Sequence, residues 1–148
     1  GRRGLTIGCW MRPDILTGSF GFMSKWVGVQ LSYLLFRSGD LAVFTASNTG
    51  AASFGTVSTG TLVVDTWSFV CGRFIPSTEN AIFLNDVKAT NTTGIAATLF
   101  NSNTDFEIGR HSVFHYDGSI SLAFICAMSL TDSHIGALFQ QSRVLFGV

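Results

Sequence analysis

Apolar and polar residues alternate in short stretches along most of the chain, and residues that favour turns separate these stretches. This pattern is typical of an all-β sandwich or barrel, because successive side chains of a strand point to opposite faces. Eight strands are predicted, at approximately Leu5–Arg12, Phe20–Trp26, Gln30–Arg37, Asp40–Ala46, Trp67–Phe74, Asn80–Leu84, Asp105–Gly109 and Gly118–Leu130.

Two of the intervening segments are predicted to be tight turns. Residues 38–40 include Gly39, and glycine adopts positive φ without steric cost. Residues 85–86 are Asn-Asp and follow the apolar run 81–84, and both residue types tolerate the left-handed conformation. We therefore expect each turn to join two antiparallel strands as a hairpin.

Three stretches are rich in Ser, Thr, Asn, Gly and Ala, namely residues 46–60, 76–80 and 91–104. Such composition predicts surface loops, and loops on a rigid scaffold are where binding residues are often found. Asn91 also begins an Asn-x-Thr glycosylation sequon, which is informative only if the protein is secreted through a glycosylating pathway.

Near the end of the chain the apolar spacing changes to that of a helix. Thr131 can cap a helix, and Ile135, Leu138 and Phe139 follow the i, i+3, i+4 spacing of one helix face. We expect one short helix there. The chain has 148 residues and shows no repeat or linker, so residues 1–148 are predicted to form a single domain.

Charge and composition narrow the classes of function. Nine basic residues balance nine acidic ones, so the chain lacks the basic surface that nucleic acid requires. The longest apolar run, residues 122–128, is far shorter than the ~20 residues of a membrane helix, and we expect no membrane insertion. Only 12% of residues are charged, which suits either a weakly charged extracellular domain or a subunit held in an assembly.

The three cysteines, Cys9, Cys71 and Cys126, lie far apart and show no metal-site spacing. Each lies in an apolar, strand-like context, which favours buried free thiols that behave as small hydrophobic residues. One disulfide with one free thiol is the alternative.

Four motifs resemble those of the laminin-G-like, concanavalin A-like jelly-roll family. The motifs are the opening strand at residues 5–13 (LTIGCWMRP), a central Trp strand at 67–71 (WSFVC), a hairpin at 82–86 (IFLND) and an ending made of 106–109, 116–120 and 130–135. In two places the chain departs from the family pattern: Asp86 stands where glycine is usual, and His134 where Glu is usual.

The resemblance implies a two-sheet antiparallel β-sandwich with one short C-terminal helix. We expect Trp10 and Trp67 to be buried between the two sheets. Family members usually have another strand before the opening motif, and only residues 1–4 precede it here. The chain is therefore expected to be a fragment whose first strand is missing or is supplied by a neighbour.

Some relatives of this fold hydrolyse polysaccharides with two carboxyl groups from a Glu-x-Asp-x-Glu strand. Here Asp105 and Glu107 are the only candidate pair, and the third carboxylate is missing. We expect no enzymatic activity, and a glycoside hydrolase is a distant alternative.

Two metal sites are conceivable, and no other cofactor is predicted. The family often binds Ca²⁺ through Asp and backbone oxygens at a loop edge, and Asn103, Asp105 and Asp117 are the oxygen donors that such a site would use. A weaker alternative is a transition metal bound by His111 and His115 together with Asp117.

Two functions suit the family. The first is a carbohydrate- or glycoprotein-binding module, with ligand contacts from Trp26, Tyr33, Asn48, Asn101 and Tyr116, because aromatic faces and amides suit a sugar ring and its hydroxyls. The second is a structural subunit of a virion or other surface assembly, such as a capsid decoration or tail-associated protein, whose partners are neighbouring subunits. Either function predicts an extracellular or virion-surface location. A large exposed apolar patch would favour the second.

Overall fold

The first predicted strand shows how alternation builds the fold. In the computed structural model, which describes residues 3–148, strand β1 covers Leu5–Pro13. Ile7 and Met11 point into the core between two sheets, whereas Trp10 points to the opposite face of the same strand. Both faces of β1 are therefore buried, one by the second sheet and the other by elements on the outer side of the first sheet.

Within the described residues, eleven further strands and one α-helix follow β1. The strands are β2 (Ser19–Val27), β3 (Gln30–Ser38), β4 (Leu41–Ser47), β5 (Ser53–Thr61), β6 (Ser68–Ile75), β7 (Glu79–Leu84), β8 (Val87–Asn91), β9 (Glu107–Ile108), β10 (Arg110–His111), β11 (Phe114–His115) and β12 (Gly118–Cys126). Helix α1 covers Asp132–Ser142 and leads into a 3₁₀ turn at Arg143–Leu145.

The strands form a two-layer sandwich, as the sequence predicts. The first sheet has the order β12-β1-β6-β7-β8, and the second has the order β5-β4-β3-β2-β9. Strand pairing is antiparallel in both sheets, and β10 and β11 form a separate small hairpin. The main core lies between the two sheets and includes Phe22, Leu35, Phe44 and Phe74.

Both predicted hairpin turns are confirmed. Gly39 has a φ of +62° and joins β3 to β4. Asn85 has a φ of +56° and joins β7 to β8, and its side-chain oxygen accepts a hydrogen bond from the backbone N–H of Phe69.

The predicted loop at residues 46–60 is wrong over most of its length, because β5 forms there. This strand buries small polar residues instead of large apolar ones: Thr56 donates hydrogen bonds to the backbone and side-chain oxygens of Asn80, and Ser58 donates to the carbonyl of Gly60. Strand β8 was also not predicted, and β12 ends at Cys126, four residues before the predicted Leu130.

The predicted helix is confirmed, and Thr131 caps it by accepting a hydrogen bond from the backbone N–H of His134. The helix packs against the outer face of the first sheet, where Ile135 and Phe139 bury Trp10. The expectation that Trp10 lies between the two sheets is therefore wrong: alternation along β1 directs it outward, and the helix covers it. Trp67 lies half-buried in the same outer cluster.

A charged network fixes the start of α1 to the first sheet. The buried Arg73 of β6 contacts Glu79 at 2.5 Å and Asp132, the first residue of the helix, at 2.5 Å. Lys88 of β8 contacts Glu79 at 2.7 Å and Asp132 at 3.3 Å. One helix and three strands therefore share a single set of ion pairs.

Cys9, Cys71 and Cys126 are free thiols; the first two are buried and the third is half-buried. Burial raises the pKa of Cys9 to about 12, which keeps it protonated and unreactive at neutral pH. Across residues 3–148, the helices are too short and too polar for any of them to cross a bilayer.

Candidate functional site

Three connections meet at one end of the second sheet. They are the β2–β3 turn with its flanking residues (26–30), the β4–β5 connection (48–52) and the long connection before β9 (98–106). We call the surface that they form the amide platform, because exposed Asn side chains are its most frequent polar groups.

Hydrogen bonds attach two of the three connections to the adjacent ends of β3 and β4. The N–H of Leu31 donates to the carbonyl of Gly50 at 3.1 Å, and the N–H of Phe100 donates to the carbonyl of Ser47 at 2.8 Å. The hydroxyl of Ser32 donates to the carbonyl of Phe100 at 2.8 Å. These bonds attach the β4–β5 connection to the start of β3, and the connection before β9 to the adjacent ends of β3 and β4, so the strand ends hold both connections in place.

Gln30 and Ser102 add a second set of bonds. The Ser102 hydroxyl donates to the Gln30 carbonyl at 2.7 Å, and the backbone N–H of Asn103 donates to Gln30 Oε1 at 3.1 Å. Gly50 adopts a φ of +83° and lies close to the carbonyl of Val29 and the ring of Phe100, which leaves no space for a side chain. The amide platform is therefore a rigid surface made of loops.

The side chains of Asn48, Asn101 and Asn103 are exposed on this surface. None of their side-chain amides makes a hydrogen bond to another group within residues 3–148. Each amide offers two donors and one acceptor, so three such groups provide an array suited to a ligand rich in hydroxyls. Trp26 is half-buried near the end of β2 that leads into the platform, and Phe106 is partly exposed.

Tyr33 lies below this surface. Its side chain is buried in the main core, with its ring centroid 6.4 Å from that of Phe106. Burial raises the pKa of its hydroxyl. This position makes Tyr33 a support for Phe106 and the platform, and gives it little surface with which to contact a ligand.

Tyr116 lies toward the other end of β2. Its ring meets Phe22 edge-on with centroids 5.1 Å apart. Its hydroxyl is buried and has no hydrogen-bond partner among residues 3–148, and burial is the main cause of its raised pKa. The structure therefore separates Tyr116 from Trp26, Asn48 and Asn101, which it brings to one end.

The residues predicted to bind Ca²⁺ are also divided. Asn103 and Asp105 belong to the amide platform, whereas the carbonyl of Asp117 accepts a hydrogen bond from Asp14 N–H next to the start of β2. The length of β2 separates the two places. In the part of the chain from residue 3 onward, no three His, Cys, Asp or Glu side chains are grouped as metal ligands.

The two histidines of the alternative metal site lie on different faces of the β10–β11 hairpin. His111 is paired with Phe114 and packs toward Phe36 of the second sheet, whereas His115 is paired with Arg110 and is exposed. Burial lowers the pKa of His111, an effect that the negative charge of Glu107 partly offsets.

Glu107, one of the two carboxylates considered for glycoside hydrolysis, is held in an ion pair. Arg110 Nε donates to Glu107 Oε1 at 2.8 Å. The other oxygen, Oε2, is buried with no hydrogen-bond partner in the described residues. Asp105 is exposed on the amide platform, so the two carboxylates occupy different environments.

Gln30, Gly50 and Ser102 shape the platform and were not predicted. Their roles depend on contacts between segments about 20 to 70 residues apart. The Ser, Thr, Asn and Gly content of residues 46–60 and 91–104 indicated two of the three connections. It did not indicate that these connections lie next to each other in the fold.

A protein-family model described as the concanavalin A-like lectin/glucanases superfamily matches residues 1–136. No curated protein sequence matches the chain.

Solved structures with the same fold include receptor-binding domains of botulinum neurotoxins. The binding domain of botulinum neurotoxin DC in complex with rat synaptotagmin II has 17% identity and a TM-score of 0.66, covering 94% of this chain and 36% of that chain. The same domain in complex with SialylT has 15% identity and a TM-score of 0.68, with the same coverage. The type G receptor-binding domain has 13% identity and a TM-score of 0.69, covering 94% of this chain and 38% of that one.

The chain thus spans little more than a third of the length of these toxin domains. At this level of identity the likeness is one of fold, and it supports the sandwich architecture described above.

Proposed function

Since the chain belongs to the concanavalin A-like lectin/glucanase superfamily, we propose that it is a non-catalytic module that binds a carbohydrate or glycoprotein through the amide platform. One observation carries the proposal: Asn48, Asn101 and Asn103 present free side-chain amides on a surface that other residues hold rigid.

Rigidity matters because a sugar is bound mainly through hydrogen bonds that replace its bonds to water. Each hydrogen bond contributes a net free energy of only about 0.5–1.5 kcal/mol. If the loops became ordered only on binding, the entropy lost in ordering them would cancel much of that contribution. Trp26 and Phe106 add apolar contact for the carbon face of a pyranose ring. Amides beside aromatic rings therefore suit a neutral, hydroxyl-rich ligand.

The structural relatives support a glycan as the ligand class. One toxin binding domain was solved in complex with SialylT, and another structure describes a type C toxin that depends on interaction with two ganglioside molecules. We propose that this chain likewise meets its ligand outside the cell or on a virion surface.

The state of Glu107 supports a non-catalytic role. Retaining glycosidases place two carboxyl groups about 5–5.5 Å apart, one of them free to act as an acid. Here Glu107 is engaged by Arg110, and Asp105 lies in a different, exposed environment. Release of reducing sugar from β-glucans by the purified protein would contradict this part of the proposal.

The test is a glycan array followed by titration of the best ligand against two variants. Asn48→Ala combined with Asn101→Ala is expected to weaken binding by roughly tenfold or more, since two hydrogen bonds are lost. Gln140→Ala is the matched control, because Gln140 is an exposed amide on α1, away from the platform. Equal loss in both variants, or no glycan bound by the native chain, would contradict the proposal.

The array is run with Ca²⁺ and again with chelator. Loss of binding in chelator would support the predicted metal role of Asn103 and Asp105, with other oxygen donors in place of Asp117. Binding that is retained in chelator would support recognition by the amides alone.

The second candidate, a structural subunit of a virion or surface assembly, is favoured by the apolar surface at the end of the chain. Val144 and Leu145 are largely exposed, and Leu138 of α1 is exposed nearby. A monomeric binding module has little use for such a surface. The two candidates are compatible, since a subunit of an assembly can also bind a glycan.

A further inference from the structure

A cavity borders the amide platform on the side of the first sheet. It has a volume of about 270 Å³ and adjoins a second cavity of about 380 Å³, and Arg3 and Pro76 line both of them. We call the first one the Arg3 cavity, and its lining includes Arg3, Phe74, Pro76, Ala97, Thr98 and Leu99. Thr98 and Leu99 also belong to the connection 98–106, so the cavity and the amide platform are neighbouring parts of one surface.

Arg3 is the one charged residue that the described part of the chain contributes to the wall of either cavity. It is exposed and has no ion-pair partner within residues 3–148. Its main chain is fixed beside the cavity, because its carbonyl accepts a hydrogen bond from the Ser129 hydroxyl at 3.3 Å. Gly4 has a φ of +146°, and a Cβ atom there would lie 2.4 Å from the Phe74 carbonyl oxygen, so only glycine lets the chain pass this close to β6.

The charges around the Arg3 cavity leave the Arg3 guanidinium free to meet an anion. Glu79 begins the neighbouring strand β7, but two basic residues engage both of its carboxylate oxygens. Residues 89–104 contain no charged side chain, and Asp105 lies near the far end of the connection 98–106. This connection therefore has a cation beside one end and an anion at the other.

The other walls of the Arg3 cavity are mostly apolar. Phe74 is buried in the main core, Leu99 packs against that core, and Pro76 adds a third apolar side chain. Apolar walls suit the carbon face of a sugar ring, and a guanidinium binds a carboxylate or a similar oxyanion through two parallel hydrogen bonds. Ligand sites usually have volumes of roughly 300–1,000 Å³, so a cavity of about 270 Å³ suits a single sugar unit.

We propose that the Arg3 cavity binds an anionic group of the glycan, either a carboxylate or a sulfate ester, while the amide platform binds the neutral sugar units next to it. This assignment rests on the proposed function, since it concerns the acidic part of the same ligand. Asn101 follows Thr98 by three residues, or at most about 11 Å of chain, which a short oligosaccharide spans. The Asp105 carboxylate repels an anion at the other end, so it orients the acidic unit toward Arg3.

Calorimetric titration of the full chain tests the proposal, using the neutral oligosaccharide that binds best on the array together with its sialylated and sulfated forms. At about 20 mM salt, at least one acidic form is expected to bind about three- to tenfold more tightly than the neutral parent, and the difference should shrink at about 500 mM salt. Arg3→Gln should abolish this preference without changing the affinity for the neutral parent. Arg143→Gln is the matched control and should keep the preference, because Arg143 is another exposed arginine without an ion-pair partner in residues 3–148 and lies in the 3₁₀ turn after α1.

A second variant tests the cavity itself. Ala97→Trp places a large side chain in the Arg3 cavity from an exposed position, and it should also abolish the preference for the acidic form. The form that gains affinity shows whether the anionic group is a carboxylate or a sulfate. Equal affinity of the native chain for the neutral and acidic forms would overturn this proposal and leave the proposed function standing. So would an equal loss of both affinities in Arg3→Gln, or a preference that Arg143→Gln also abolishes. If the native chain bound neither neutral nor acidic glycans, the proposed function would fail as well.

Discussion

At the scale of single residues, the contact between the two sheets depends on a missing side chain. Gly72 of β6 faces the ring of Phe44 of β4 so closely that a Cβ atom would collide with it. The sheets are packed at interior density here, and cores at that density tolerate added atoms poorly.

Gly72→Ala is therefore expected to lower the free energy of unfolding by about 1–3 kcal/mol, measured by urea denaturation. Gly136→Ala is the control, because Gly136 lies in α1 with open space around it. That substitution should raise the free energy of unfolding by about 0.5–1 kcal/mol through helix propensity. Equal effects of the two changes would show that Gly72 is not a close-packing site.

At this scale, the sequence predicts whether a side chain is buried more reliably than it predicts which residues that side chain packs against. Trp10 was predicted to be buried, which is confirmed, yet its partners are α1 and Phe69 instead of the facing sheet. Alternation along a strand shows that two faces exist, but which of them faces the second sheet depends on where the helix returns. Nothing in the sequence indicates that Gly72 must lack a side chain, since this requirement comes entirely from Phe44 on another strand.

At the scale of elements, the sequence predicts the strands that bury large apolar residues, but it does not predict β5, which buries small polar residues. Strand β5 has a strand's alternation of buried and exposed positions, but its buried positions include Thr56 and Ser58. The Ser58 hydroxyl bonds to Gly60 of its own strand and to Ala42 of the neighbouring strand, whereas the Thr56 hydroxyl bonds to Asn80, a contact that only the assembled sandwich provides. The helix was predictable because its cap and its apolar spacing are both local features.

The attachment of α1 to the first sheet gives a prediction about pH. Burial alone would raise the pKa of Asp132, but hydrogen bonds and charge attraction from Arg73 and Lys88 outweigh it and lower the pKa below its usual value of 3.8. A lowered pKa in the folded state means that the ionised form stabilises the fold above the usual pKa, and that this stability is lost as pH falls through the folded value.

Asp132→Asn should therefore lower the melting temperature at pH 7, and the difference from the native protein should shrink as the pH falls below about 4. Thermal denaturation at pH steps across this range measures it. Asp40→Asn serves as the control, since Asp40 is exposed and has no ion-pair partner within residues 3–148. A difference for Asp132→Asn that stays constant with pH would contradict the assigned cause.

At the scale of the whole molecule, the order of strands decides which predicted site residues meet. Trp26, Asn48, Asn101 and Asn103 come to one end because the β2–β3 and β4–β5 connections lie at the same end of the second sheet, and hydrogen bonds attach the connection before β9 to that end. Tyr116 directly follows the β10–β11 hairpin and lies toward the other end of β2. Residue types suggested suitable contacts, but only the topology could show which of them share a surface.

The separation of scaffold from exposed amides predicts that stability and binding respond to different residues. Replacing Asn48, Asn101 and Asn103 together by Ala should change the melting temperature by no more than about 2 °C, because no fold contact is removed. Ser102→Ala should lower it by more, since a buried hydroxyl that donates to Gln30 is lost. Thermal denaturation of the two variants checks this, and a triple variant less stable than Ser102→Ala would contradict it.

The hydrogen bonds that hold the amide platform together come from backbone groups and from Ser32, Ser102 and Gln30. The residues that face outward are consequently free to vary under selection without a penalty to folding. Under the proposed function, substitution at these three exposed positions would change the ligand while the fold stays constant. In the laboratory, the same three positions are the natural choice for a randomised library, and the scaffold residues are those to leave untouched.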